Sequence, residues 1–298
     1  MIHGLHSAYN LPADHDVCHL FEHLIIRRFL QSLKKSGGER AFIGSLDGTT
    51  AGSSVFFASA FFDYKYTSLF AKIIADLTPF DEAMIHESIA HIEAEMKSSI
   101  TIWSKPELRK QLAACQKAFA NYGFTKIKRN TEPIKNQPLE IDYQPEDFID
   151  ISLTIEVPDA SGQTTAAFFC MYPLLLDLVR NACFDQAPVY PSNHGEFTAY
   201  QDGNATSQTY TIKKSFDWKT IGEAAQSYLR SFNAAPHASN LAHLAEAFIS
   251  DPHYTAAPVY FYQKTMTPYT KDDLANAITV AKLQAILNQA EVTIAAAQ

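Results

Sequence analysis

Two histidines four residues apart with a glutamate between them, His19-Leu20-Phe21-Glu22-His23, are the residues of this chain best suited to chemistry. On a helix, positions i and i+4 lie about one turn apart on one face, so both imidazoles can reach a single ion. Glu22, three residues after His19, overlaps that face and can touch whatever the ion holds in its open position. The order H-x-x-E-H therefore suits metal-assisted hydrolysis, with zinc polarising a water and the glutamate taking its proton. The same letters could also lie on the polar side of an ordinary amphipathic helix, and a third ligand is needed to separate the two readings.

The helix that must carry the motif is legible around it. Val17, Phe21, Leu24, Ile25 and Leu33 form an apolar stripe, Asp14 and Asp16 suit the positive first turn, and Arg27, Arg28, Lys34 and Lys35 lie towards the other end. Ser36-Gly37-Gly38 ends it.

Composition narrows the classes. The chain has 298 residues, 47% of them hydrophobic, enough for a sizeable core, and a formal net charge of -8. That charge argues against nucleic acid, which needs a basic face. The four cysteines, Cys18, Cys115, Cys170 and Cys183, are scattered without a C-x-x-C, so neither a disulfide framework nor a thiolate zinc site is indicated. No leader pattern follows Met1 and no apolar run approaches a membrane span, so a soluble cytoplasmic protein without membrane contact is expected.

The fold class expected is α+β. Residues 2–9 read as a strand before the motif helix. Residues 40–46 read as another, Asp47-Gly48 as a turn, and 53–64 as an aromatic strand. Helices are predicted over 67–77, from Pro79 to about Ser98, and over 106–121. The segment 126–146, with Pro133, Pro138 and Pro145, is the linker candidate. Beyond it a strand at 148–157, a helix at 164–183, strands near 194–201 and 207–214, and helices at 217–232 and 239–250 repeat the same order. The chain thus reads as one domain of two similar strand-helix-strand-strand-helix-helix repeats, about 1–130 and 147–298, with a mixed or antiparallel sheet and helices on one side. A strand at 258–263 and a last helix from 270 to about 289 complete it.

With H-x-x-E-H on the first helix, the turn Gly48-Thr49-Thr50-Ala51-Gly52-Ser53-Ser54 into a strand, and an acidic helix downstream, the chain resembles the pitrilysin-type (M16, inverzincin) zinc peptidases. The family's first helix reads like G-x-A-H-x-x-E-H; here Asp16 to His23 match it without the glycine and alanine. The resemblance implies a third zinc ligand on the acidic helix. Glu95, with Ile92 and Met96 at the matching apolar places, is the first choice, and Glu93 the second. The family's other helix glutamate falls on Ser88, a departure. Glu87 and His91, at i-8 and i-4 from Glu95, would orient the ligands. Thr50, Ala51, Gly52 and Ser53 stand where the family's substrate strand begins, an edge that takes peptide by main-chain pairing.

The resemblance thus implies a zinc endopeptidase acting on short or unfolded peptides, with His19, His23 and Glu95 on Zn2+ and Glu22 as base. Family members use a second homologous half, so a homodimer or a heterodimer with a homologous subunit is expected. The alternative is a non-catalytic binding or assembly subunit. A non-proteolytic zinc hydrolase is a third reading, since the motif sets a metal and a base but not a substrate.

Overall fold

The computed structural model describes residues 2–8, 11–100, 105–122, 141–143, 145–183 and 189–297. The fold mixes helices with antiparallel sheets. By internal contacts the chain divides into two compact units, Met1–Pro145 and Glu146–Gln298. Most of the linker expected over 126–146 lies outside the described residues.

In the first unit β1 (Ile2–Ala8) leads to α1 (His15–Lys35), followed by the hairpin β2 (Gly44–Ala51) and β3 (Ser54–Phe61). Helices α2 (Tyr64–Ala75) and α3 (Glu82–Met96) come next, then β4 (Ser98–Ile100), α4 (Lys105–Tyr122) and β5 (Ile141–Tyr143). One sheet has the order β1-β3-β2, all antiparallel, so β2 is an edge among the described residues.

α1 begins where Asp14 accepts the N–H of Val17 at 3.0 Å, which satisfies one of the unpaired donors of the first turn. It ends at Ser36, after which Gly37 takes a φ of 74° that a side chain would resist. Its apolar stripe of Val17, Leu20, Phe21, Leu24, Ile25, Phe29 and Leu33 is buried. Phe21 meets Phe80 and Phe119 edge-on, while Phe29 stacks on Phe61 and meets Phe70 edge-on. The motif helix is therefore the central element of this core, and its polar residues are held as rigidly as the aromatic packing.

In the second unit the order is β6 (Phe148–Val157), α5 (Gly162–Cys183), β7 (Val189–Pro191), β8 (Glu196–Ala199), β9 (Asn204–Lys213), α6 (Lys219–Ser231) and α7 (Ala238–Ser250). The chain ends with α8 (Ala257–Thr265), α9 (Lys271–Ala277), α10 (Val280–Gln289) and β10 (Glu291–Ala296). The sheet runs β10-β6-β9-β7, with β8 also on β9.

Three expectations need correction, and one strand is new. Residues 258–263 form α8, not a strand: Pro258 starts the helix, and Phe261, its buried residue, packs on Phe169 and Tyr269. The helix expected over 270–289 is two, because Thr279 caps a new start by accepting the N–H of Lys282. β10 was not foreseen; its alternation is only half buried. Asp47-Gly48 is not a turn but lies inside β2, paired with Ala58 and Phe57, and the hairpin turns at Gly52-Ser53 with Gly52 at φ 59°.

Candidate metal centre

His19 and His23 project from α1 with ring centroids 4.9 Å apart, and Glu95 reaches them from the last turn of α3. The Glu95 Oε2 atom lies 3.4 Å from His19 Nε2 and 3.3 Å from His23 Nε2. Ligand atoms of the three residues all fall within 4.8 Å of one another, the one such grouping of His, Cys, Asp or Glu among the described residues. Glu95 Oε2 is buried yet accepts no hydrogen bond of good geometry. A buried carboxylate oxygen left between two imidazole nitrogens is poorly satisfied by protein alone and well suited to a cation. Two nitrogens and one carboxylate form a donor set that fits catalytic zinc.

The electrostatics agree. Burial alone would raise the Glu95 carboxyl, but the two imidazoles outweigh it and hold it down to about 2. For His19, burial works against the proton, yet Glu95 above all raises its pKa over the ordinary imidazole value, with Glu22 and Asp16 adding to it. The site thus attracts positive charge. Glu93, two residues before Glu95, is about 200° away around the helix and is buried outside this grouping.

Glu22 is 6% exposed and turns from α1 towards β2. Thr50 Oγ1 donates to its Oε2 at 2.6 Å. Burial raises the Glu22 carboxyl, an effect partly offset by the Thr50 hydroxyl and by His23 and His19. A Cβ at Gly48 would stand 2.4 Å from Glu22 Oε1, so the bare Cα there makes room for the carboxylate. Of the four residues expected to hold substrate, Thr50 and Ala51 close β2 and Gly52 and Ser53 form the turn.

The two residues expected to orient the ligands, Glu87 and His91, make unlike contacts. Glu87 Oε2 accepts from Arg27 Nη1 at 2.5 Å, tying α3 to α1 further along both helices from the ligands. His91 meets the His23 ring edge-on at 6.3 Å. His15 stacks on His19 at 5.9 Å, a contact that its i-4 position on the same helix face would have shown. Arg28, buried, lies 4.0 Å over the Phe80 ring and donates to the Thr78 carbonyl at 2.8 Å, which Gln116 also reaches at 2.9 Å. These bonds hold the α2–α3 connection, and with it α3, against α1. No local pattern in the sequence announces them, because their partners lie some 40 to 60 residues apart.

No family model matches the chain, and no curated protein matches it. Solved structures do. A protease from Helicobacter pylori aligns over 98% of this chain and 94% of its own, at 12% identity and a TM-score of 0.36. The M16 peptidase inactive domain from Pseudomonas fluorescens aligns over 98% and 92%, at 11% identity and 0.35. Pitrilysin aligns over 98% of this chain but 44% of its own, at 10% identity and 0.37. Overlap this loose assigns no residue a role.

Proposed function

We propose that this chain is a zinc-dependent endopeptidase for short or unfolded peptides, working with a second copy or a homologous subunit. The observation that carries the reading is the convergence of His19, His23 and the buried, unsatisfied oxygen of Glu95, with a second carboxylate, Glu22, near enough for the charges of all three to act on it. His19, His23 and Glu95 hold the ion. Zinc, when bound, supplies Lewis-acid polarisation of the scissile carbonyl and makes water more acidic.

Glu22 accepts a proton from the attacking water and later passes it to the leaving amine nitrogen, so one carboxylate serves as base and then as acid. Among the described residues β2 has an unpaired edge, which passes beneath Glu22 and offers main-chain N–H and C=O groups to an extended peptide. Thr50 and Ala51 are the β2 residues nearest the hairpin turn, with Gly52 and Ser53 beyond. Edge pairing reads extended shape more than sequence, which suits unfolded substrates.

The test is zinc content by mass spectrometry beside cleavage of an unstructured peptide. Wild type is expected to carry about one zinc per chain. Glu95→Gln loses it and Glu93→Gln keeps it. Glu22→Gln keeps zinc but cleaves on the order of 100- to 10,000-fold more slowly. No zinc in wild type, even after zinc is offered, would overturn the metal site. Zinc without cleavage would favour the non-catalytic subunit.

A further inference from the structure

The Glu22–Thr50 hydrogen bond joins the motif helix to the edge strand, and nothing in H-x-x-E-H requires it. We propose that Thr50 is a positioning residue for the base: its hydroxyl, acting where Gly48 leaves room, sets the place of the Glu22 carboxylate. The proposal rests on the peptidase reading for its consequence but on geometry for its content.

Gly48 and Thr50 are two residues apart on β2, so they share one face of the strand. That face meets Glu22. Thr50 takes Oε2 at 2.6 Å, a short bond of the kind a hydroxyl makes to a charged oxygen. Oε1 lies against Gly48, where an added Cβ would stand 2.4 Å from it. One oxygen is therefore pinned by the hydroxyl, and the other occupies the space that Gly48 leaves. A free glutamate has three rotatable side-chain bonds, and on a helix it would sample several rotamers. The hydroxyl selects one, and a base acts only within hydrogen-bond reach of its proton.

The bond is not needed to build the strand. β2 is registered on β3 by main-chain pairing from Gly44↔Phe61 to Ala51↔Ser54. Removing the hydroxyl alone should leave the hairpin intact, which separates positioning from folding.

The experiment uses the zinc-loaded full chain, with crystal structures and peptide-cleavage kinetics for wild type, Thr50→Val, Thr50→Ser and Gly48→Ala. Thr50→Val keeps the shape of the side chain and removes the donor. Glu22 is expected to leave β2 in that variant, with kcat down about 10- to 100-fold, KM within about twofold, and zinc content unchanged. Thr50→Ser is expected to return Glu22 to β2 and to recover most of kcat. Gly48→Ala should displace Glu22 from the other side, with the same kinetic signature. The proposal is overturned if Glu22 stays in place in Thr50→Val, if that variant keeps full kcat, or if Thr50→Ser is no better. If Glu22 moves and returns as described but wild type cleaves no peptide, the positioning role stands and the peptidase reading falls.

Discussion

Glu95 and His19 owe their shifted pKa values to one shared attraction, and this gives the metal-free protein a distinctive pH response. The Glu95 carboxyl is depressed to about 2 in the fold from an ordinary 4.5, so its contribution is present above pH 4.5 and lost as pH falls towards 2. His19 is raised above 6.5, so its contribution is present below that value and lost as pH rises through the higher folded one. Both describe the same pairing and do not add. With chelator present, urea unfolding is expected to find wild type more stable than Glu95→Gln chiefly between about pH 4.5 and 6.5, by at most on the order of 3 kcal/mol. Zinc bound there would replace the proton as the positive partner and should extend the advantage to higher pH. An advantage that stayed level across this range would show that Glu95 contributes by packing instead.

At the scale of elements, the site depends on how α3 lies against α1. Arg27 and Glu87 clamp the two helices further along from the ligands, and Arg28 with Gln116 holds the connection that leads into α3. A partly buried ion pair of this kind is worth about 1 kcal/mol to stability. Its larger effect should be on ligand geometry, since metal sites lose affinity steeply when a supporting contact goes. Glu87→Gln is expected to weaken zinc binding about tenfold, measured by competition with a chromogenic chelator, while the melting temperature falls only a few degrees. Unchanged affinity would confine Glu87 to the surface. α3 ends at Lys97, in the left-handed region at φ 48°, directly after the turn that carries Glu95. This sharp stop fixes where the ligand turn ends.

For the whole molecule, the described residues hold no helix long and apolar enough to cross a membrane. The metal grouping lies entirely in the unit Met1–Pro145. The unit Glu146–Gln298 has the same early order of strand, helix, further strands and helices, yet its α5 carries no histidine and has Pro173 inside. If cleavage needs a second copy to enclose peptide, activity per chain should fall on dilution and a dimer should be seen by analytical ultracentrifugation over the same range. Constant specific activity from a monomer would remove the self-association reading.

Features set by near neighbours are legible in the chain before it folds. The spacing of His19, Glu22 and His23 decides their common face because helix periodicity is a property of neighbouring residues, and the caps at Asp14 and Ser36 are equally local. The choice between Glu93 and Glu95 is of another kind. Both sit on one helix 70 or more residues from the motif, and only the burial of Met84, Ile85 and Ile92 in the core turns Glu95 towards α1. Gly48 read as a turn signal because glycine has two uses, and its role as clearance for Glu22 exists only once α1 is packed on β2. Residues 258–263 read as strand from their aromatics, and the contact of Phe261 with α5 made them helix. Tertiary packing decided each of these, since a short apolar segment has nearly equal local preferences and its burial tips the balance.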